Sequence, residues 1–103
     1  MRQTNTDLRR YYRFANKRYF NNKLPKLNLY FSKLRTTGVT RLLCNTPVYI
    51  EINEDLRTFQ AITILTVLHE MLHVEKPSHK GHDWRFDRRM LRLAKMGAMD
   101  GLW

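Results

Sequence analysis

The sequence predicts an α+β fold: an N-terminal helix, a small three-stranded sheet, a buried helix and a C-terminal helix. Three observations carry that reading. Apolar residues recur at helical spacing near both ends, short β-type segments fill the stretch after Pro25, and residues 58–74 are apolar on nearly every side. A chain of 103 residues with 43% apolar composition can build one core, so a single domain over residues 1–103 is expected.

The first helix rests on Leu8, Tyr12, Ala15 and Tyr19, with Tyr11, Phe14 and Phe20 widening the stripe. Thr4 or Thr6 is the expected N-cap, and the helix should end near Asn21 and Asn22. Arg9, Arg10, Arg13, Lys17 and Arg18 fall mainly on the opposite face. Pro25 breaks the pattern, and strands are expected over Leu27 to Phe31, Gly38 to Cys44 and Val48 to Ile52. Gly38 and the stretch Asn45-Thr46-Pro47 supply turns, which suits an antiparallel or mixed sheet.

Phe59, Ile62, Leu65, Leu68 and Leu72 share helical spacing, and Ile64, Val67 and Met71 broaden the face. So wide an apolar surface predicts a helix from Thr58 to Val74 that is buried on most sides, capped by Asp55 or Thr58 and ended by Pro77. The last helix is expected from Asp83 to Lys95, with Trp84, Phe86, Met90, Leu91, Leu93 and Ala94 as core candidates.

Nineteen Lys and Arg against nine Asp and Glu leave a net charge of +10, unevenly spread. Residues 1–35 hold ten basic side chains against Asp7, residues 36–75 hold two against five acids, and residues 76–95 hold seven against Asp83 and Asp87. Two basic ends thus flank an acidic middle. Such an excess attracts polyanions such as nucleic acid through phosphate contacts, the plain alternative being a solvated, Arg-rich helix surface. No apolar run is long enough to cross a bilayer, and the polar start does not read as a secretory signal. The expected setting is cytoplasmic, nucleoid-associated or, in a eukaryote, nuclear; a phage or virus origin suits it too. One cysteine, Cys44, excludes an internal disulfide framework and any cysteine-based zinc knuckle.

Any metal site must therefore use histidine and carboxylate. Inside the apolar helix stands His69-Glu70-Met71-Leu72-His73, an H-E-x-x-H motif. Positions i and i+4 lie one above the other, so both imidazoles can reach one ion, while Glu70 points beside it and suits a base acting on water. The alternative is a pair of ordinary core histidines satisfied by hydrogen bonds. Burying three titratable groups on one apolar helix without a metal argues against it.

A catalytic zinc site takes three protein ligands and leaves one position open. His79 and His82 are the candidates for the third. His79 has the spacing of the metzincin motif, but Lys76 and Pro77 stand where that motif turns on glycine. His82 follows Gly81 at the start of the last helix, which Phe86 can anchor, and is the favoured ligand.

Gly81-His82-Asp83-Trp84-Arg85-Phe86 after the H-E-x-x-H run resembles the signature of the SprT-like (Spartan-type) zinc metalloproteases, H-E-x-x-H followed by G-H-x-x-x-F. Phe14-Ala15-Asn16 through Tyr19-Phe20 and Leu24-Pro25 resemble that family's first helix and its exit, so the likeness spans roughly residues 6–95. The chain differs in having Asp83 where a second glycine is frequent, and reads as a minimal catalytic domain without the zinc ribbon that many members append. The resemblance implies a zincin-like domain holding Zn2+ on His69, His73 and His82, with Glu70 as catalytic base. It implies peptide-bond hydrolysis in DNA-associated or DNA-crosslinked proteins. The expected partners are a protein substrate and DNA at the basic surface, with no membrane and a monomeric chain. Two rivals remain: a zinc hydrolase of another substrate, such as an endoribonuclease, and a non-catalytic basic DNA-binding module whose structural zinc takes His79 as a fourth ligand. Glu70 favours peptide bonds over the first rival.

Overall fold

In a computed structural model that describes residues 4–77 and 84–99, the order of elements is α1 (Thr6–Tyr19), β1 (Asn28–Ser32), β2 (Gly38–Leu43), β3 (Thr46–Asn53), α2 (Gln60–Glu75) and α3 (Trp84–Lys95). The fold is α+β, as expected, with every element within a few residues of its predicted place. The sheet is mixed, in the order β1-β3-β2, with β1 parallel and β2 antiparallel to the central β3.

Asn5, rather than Thr4 or Thr6, caps α1: its side chain accepts the Leu8 N–H at 3.0 Å. Thr4 is engaged elsewhere, its hydroxyl oxygen accepting the Leu29 N–H at 2.9 Å. The helix stops at Tyr19, and Asn21 and Asn22 follow with φ of 53° and 59°, left-handed values that asparagine tolerates. Leu8, Tyr12 and Ala15 face the core, but Phe14 is 53% exposed. It lies roughly a third of a turn away from the Leu8–Tyr12–Ala15 line, too far round to share its burial. Asn16 is buried instead, donating to the Leu24 carbonyl at 3.0 Å and accepting the Leu24 N–H at 3.1 Å. That clasp ties the end of α1 to the segment entering the sheet.

The turn between β2 and β3 falls on Cys44 and Asn45, not on Asn45-Thr46-Pro47. Both residues have positive φ, 51° and 64°, as a two-residue hairpin turn of matching twist requires. Pro47 belongs to β3, before the point at Tyr49 where β1 begins to pair. On the sheet face toward the helices stand Leu29, Ile50 and Ile52, each fully buried, with Gly38 opposite Ile52 and Thr40 opposite Ile50.

A 3-10 turn, Glu54–Leu56, precedes α2 and takes Asp55, whose N–H donates to Asn53 at 2.9 Å. Neither Asp55 nor Thr58 caps α2; Phe59 occupies that position without a side-chain cap. Burial along α2 begins at Thr63, which leaves Phe59 and Ile62 outside the core they were expected to join. From there Thr66, Val67, Leu68, Glu70, Met71, Leu72 and Val74 are all buried. The helix ends at Glu75, just ahead of Pro77. On α3 the inward stripe is Phe86, Met90 and Leu93, whereas Trp84, Leu91 and Ala94 face outward. Trp84 and Leu91 are seven residues apart on the side where Arg88, Arg92 and Lys95 also lie, so they belong to the basic face.

Candidate metal centre

His69, Glu70 and His73 come from the second half of α2, the part that the core surrounds. One ligand atom from each lies within 4.8 Å of the others, so the three form a group able to hold a metal ion. The imidazole centroids are 5.2 Å apart, and His69 Nε2 is 3.9 Å from Glu70 Oε2. Both histidines are half-buried while Glu70 is only 4% exposed. Two imidazoles and a carboxylate are a donor set suited to a divalent transition-metal ion.

Glu70 is held from the sheet. The Thr40 hydroxyl lies 2.9 Å from Glu70 Oε1, to which it donates, and 3.2 Å from the Glu70 main-chain oxygen. Burial pushes the Glu70 carboxyl above its usual range, and the Thr40 bonds oppose that rise by stabilising the anion. Gly38 makes the approach possible. A Cβ there would stand 2.8 Å from Thr66 Cγ2 and 3.4 Å from Glu70 Cγ, so only glycine lets β2 lie this close to α2.

Phe86 closes the site from α3. Its ring stacks on His73 at 5.2 Å and meets His69 at 4.8 Å, which restrains both imidazoles on their apolar side. An Arg89–Glu75 contact of 3.6 Å adds a second tie between α2 and α3.

The motif thus brings His69, Glu70 and His73 together. His79 and His82 lie outside the described residues, as does Asp83. Motif reading missed Thr40 and Gly38. The signal available for them was the alternation of β2, which puts two small residues on the face that carries Ile50 and Ile52 in the next strand.

Fold and site together define a candidate metal centre on an H-E-x-x-H helix packed beneath a small mixed sheet. The chain belongs to the SprT-like family, whose model matches residues 8–101, nearly the whole length. Membership makes it a metallopeptidase-like domain. No curated protein and no solved structure matches the chain. Among the described residues, no helix is long and apolar enough to cross a membrane.

Proposed function

We propose that the chain is a zinc metallopeptidase that hydrolyses peptide bonds in proteins held on DNA, including crosslinked ones. The observation that carries the reading is the convergence of two imidazoles and a buried carboxylate within 4.8 Å, with the carboxylate fixed by Thr40 at 2.9 Å. His69, His73 and His82 would hold the ion. Support for His82 is its place four residues before Phe86, whose ring lies against both described histidines.

When bound, zinc supplies a Lewis acid that polarises a carbonyl and acidifies water. The protein's own part is proton handling and orientation. Thr40 occupies Oε1 of Glu70, and Oε2 faces His69. Glu70 Oε2 is the atom that takes the proton of the attacking water and returns it to the amide nitrogen as the C–N bond breaks. A carboxyl raised by burial is better matched to this exchange near neutral pH than an exposed one. DNA as the site of the substrate is supported by the +10 charge and its concentration at the two ends of the chain.

Glu70→Gln is expected to retain zinc and lose cleavage of a DNA-bound protein by on the order of 100-fold or more. Cleavage at the original rate would remove Glu70 from the reaction. Zinc content measured on single variants should fall further for His82→Ala than for His79→Ala; the reverse ranking would move the third ligand to His79.

A further inference from the structure

A groove of about 800 Å³ opens between α1, the end of β1 and the start of α2, on residues other than His69, Glu70 and His73. Arg10, Tyr11 and Phe14 line it from α1, Phe31 from β1, and Arg57 from the turn before α2. The Arg57 guanidinium lies 4.5 Å above the Phe31 ring. Phe14 is more open, 53% exposed, with Tyr11 and Tyr19 supporting it at ring distances of 6.2 and 6.4 Å. It also lines a second groove, of about 540 Å³, together with Arg13, Lys17 and Lys26. An exposed aromatic ring therefore stands on the ridge between two grooves, with cations in each.

Cations on both sides of a flat apolar ring match a ligand whose anionic groups repeat along a backbone that also carries flat rings. Unpaired nucleic acid has that chemistry: phosphates follow the cations and a base stacks on the aromatic face. A duplex offers the phosphates but keeps its base faces covered. An acidic peptide offers charge without a regular partner for the ring. Asp7 also lines the first groove, whose cations are Arg10 and Arg57.

We infer that Phe14, between Arg10 and Arg57 on one side and Arg13 and Lys17 on the other, is a stacking site for a base of a single strand. This rests on the proposed function for its nucleic-acid partner and adds to it a surface and a strand form.

The test is fluorescence anisotropy with a twelve-nucleotide oligo(dT) and a blunt duplex of equal length, using the full chain loaded with zinc. Phe14→Ala should weaken oligo(dT) binding by roughly 5- to 100-fold and duplex binding by less than about 2-fold, and Phe14→Trp should restore the first. Arg10→Gln and Arg57→Gln, both at exposed positions, should each lower the salt slope for oligo(dT) by about 0.7. The inference is overturned if Phe14→Ala leaves oligo(dT) binding unchanged, if it weakens strand and duplex alike, or if poly-glutamate binds with the same dependence on Phe14. Binding needs no turnover, so the same titrations, set beside a cleavage assay of the unsubstituted chain, separate the two readings. Phe14-dependent strand binding by a chain that cleaves nothing keeps the groove and sinks the peptidase, whereas cleavage without Phe14-dependent binding sinks the groove alone.

Discussion

Glu70 is held from the sheet side by two small residues, Gly38 and Thr40, on alternate positions of β2. The first creates the space and the second fills it with a hydroxyl. Valine at position 40 would keep the shape and remove the donor, leaving a buried carboxylate oxygen without its partner. Thr40→Val is expected to lower stability by about 1–3 kcal/mol in urea denaturation, with Thr40→Ser recovering most of the loss. Equal stability of Thr40→Val and the parent would show that the bond contributes nothing. The histidine pair and Glu70 were legible in the sequence because helical geometry alone puts positions 69 and 73 on one face. Gly38 and Thr40 were not, because strand alternation reveals which face a residue occupies but not which helix residue lies opposite. Phe14, Trp84 and Leu91 were misread for a related reason: an apolar side chain counts toward a stripe by its type, while its burial follows its angle around the helix.

At the scale of elements, α3 is held on α2 by one aromatic ring, with the Arg89–Glu75 contact beside it. Phe86 is buried, joins the core stripe with Met90 and Leu93, stacks on His73 and lies tilted against His69 of α2. Phe86→Ala is expected to cost about 3–5 kcal/mol and to loosen both imidazoles. Denaturation would read the first effect, and a faster loss of zinc to a chelator the second; retention of both would mean that α3 is held by other contacts. The three helices and three strands were readable, since periodicity and Pro25 and Pro77 mark where the patterns start or stop, whereas the 3-10 turn Glu54–Leu56 was not. The caps were harder. The cap was expected at Thr4 or Thr6, but the Thr4 hydroxyl accepts the N–H of Leu29, twenty-five positions further on, and Asn5 caps the helix instead. The hairpin turn shifted similarly, because Asn45 tolerates positive φ and draws Cys44 into the turn ahead of Pro47.

Across the whole molecule, the α+β class followed from the pattern of elements, while the strand order β1-β3-β2 did not. Hydrophobic alternation states that a strand is half-buried and leaves its neighbours open, and the parallel β1–β3 pairing depends on how the chain crosses over between them. Charge was legible as a total and as a distribution along the chain, but the grooves that gather it around Phe14 exist only once α1 is packed. The contact of Thr4 and Asn5 with Leu29 has a consequence of this larger kind. β1 is the outer strand on its side of the sheet, and the Asn5 N–H donates to the Leu29 carbonyl at 2.7 Å while Thr4 takes the Leu29 N–H at 2.9 Å. Those two residues stand where an intruding strand would have to pair. A chain trimmed to begin at Thr6 is therefore expected to self-associate, seen as increased light scattering at concentrations where the intact chain shows none. Unchanged scattering would mean that the rim of β1 is guarded by something else. Increased scattering would make a few residues ahead of the first helix what keeps one copy of this sheet from continuing into the next.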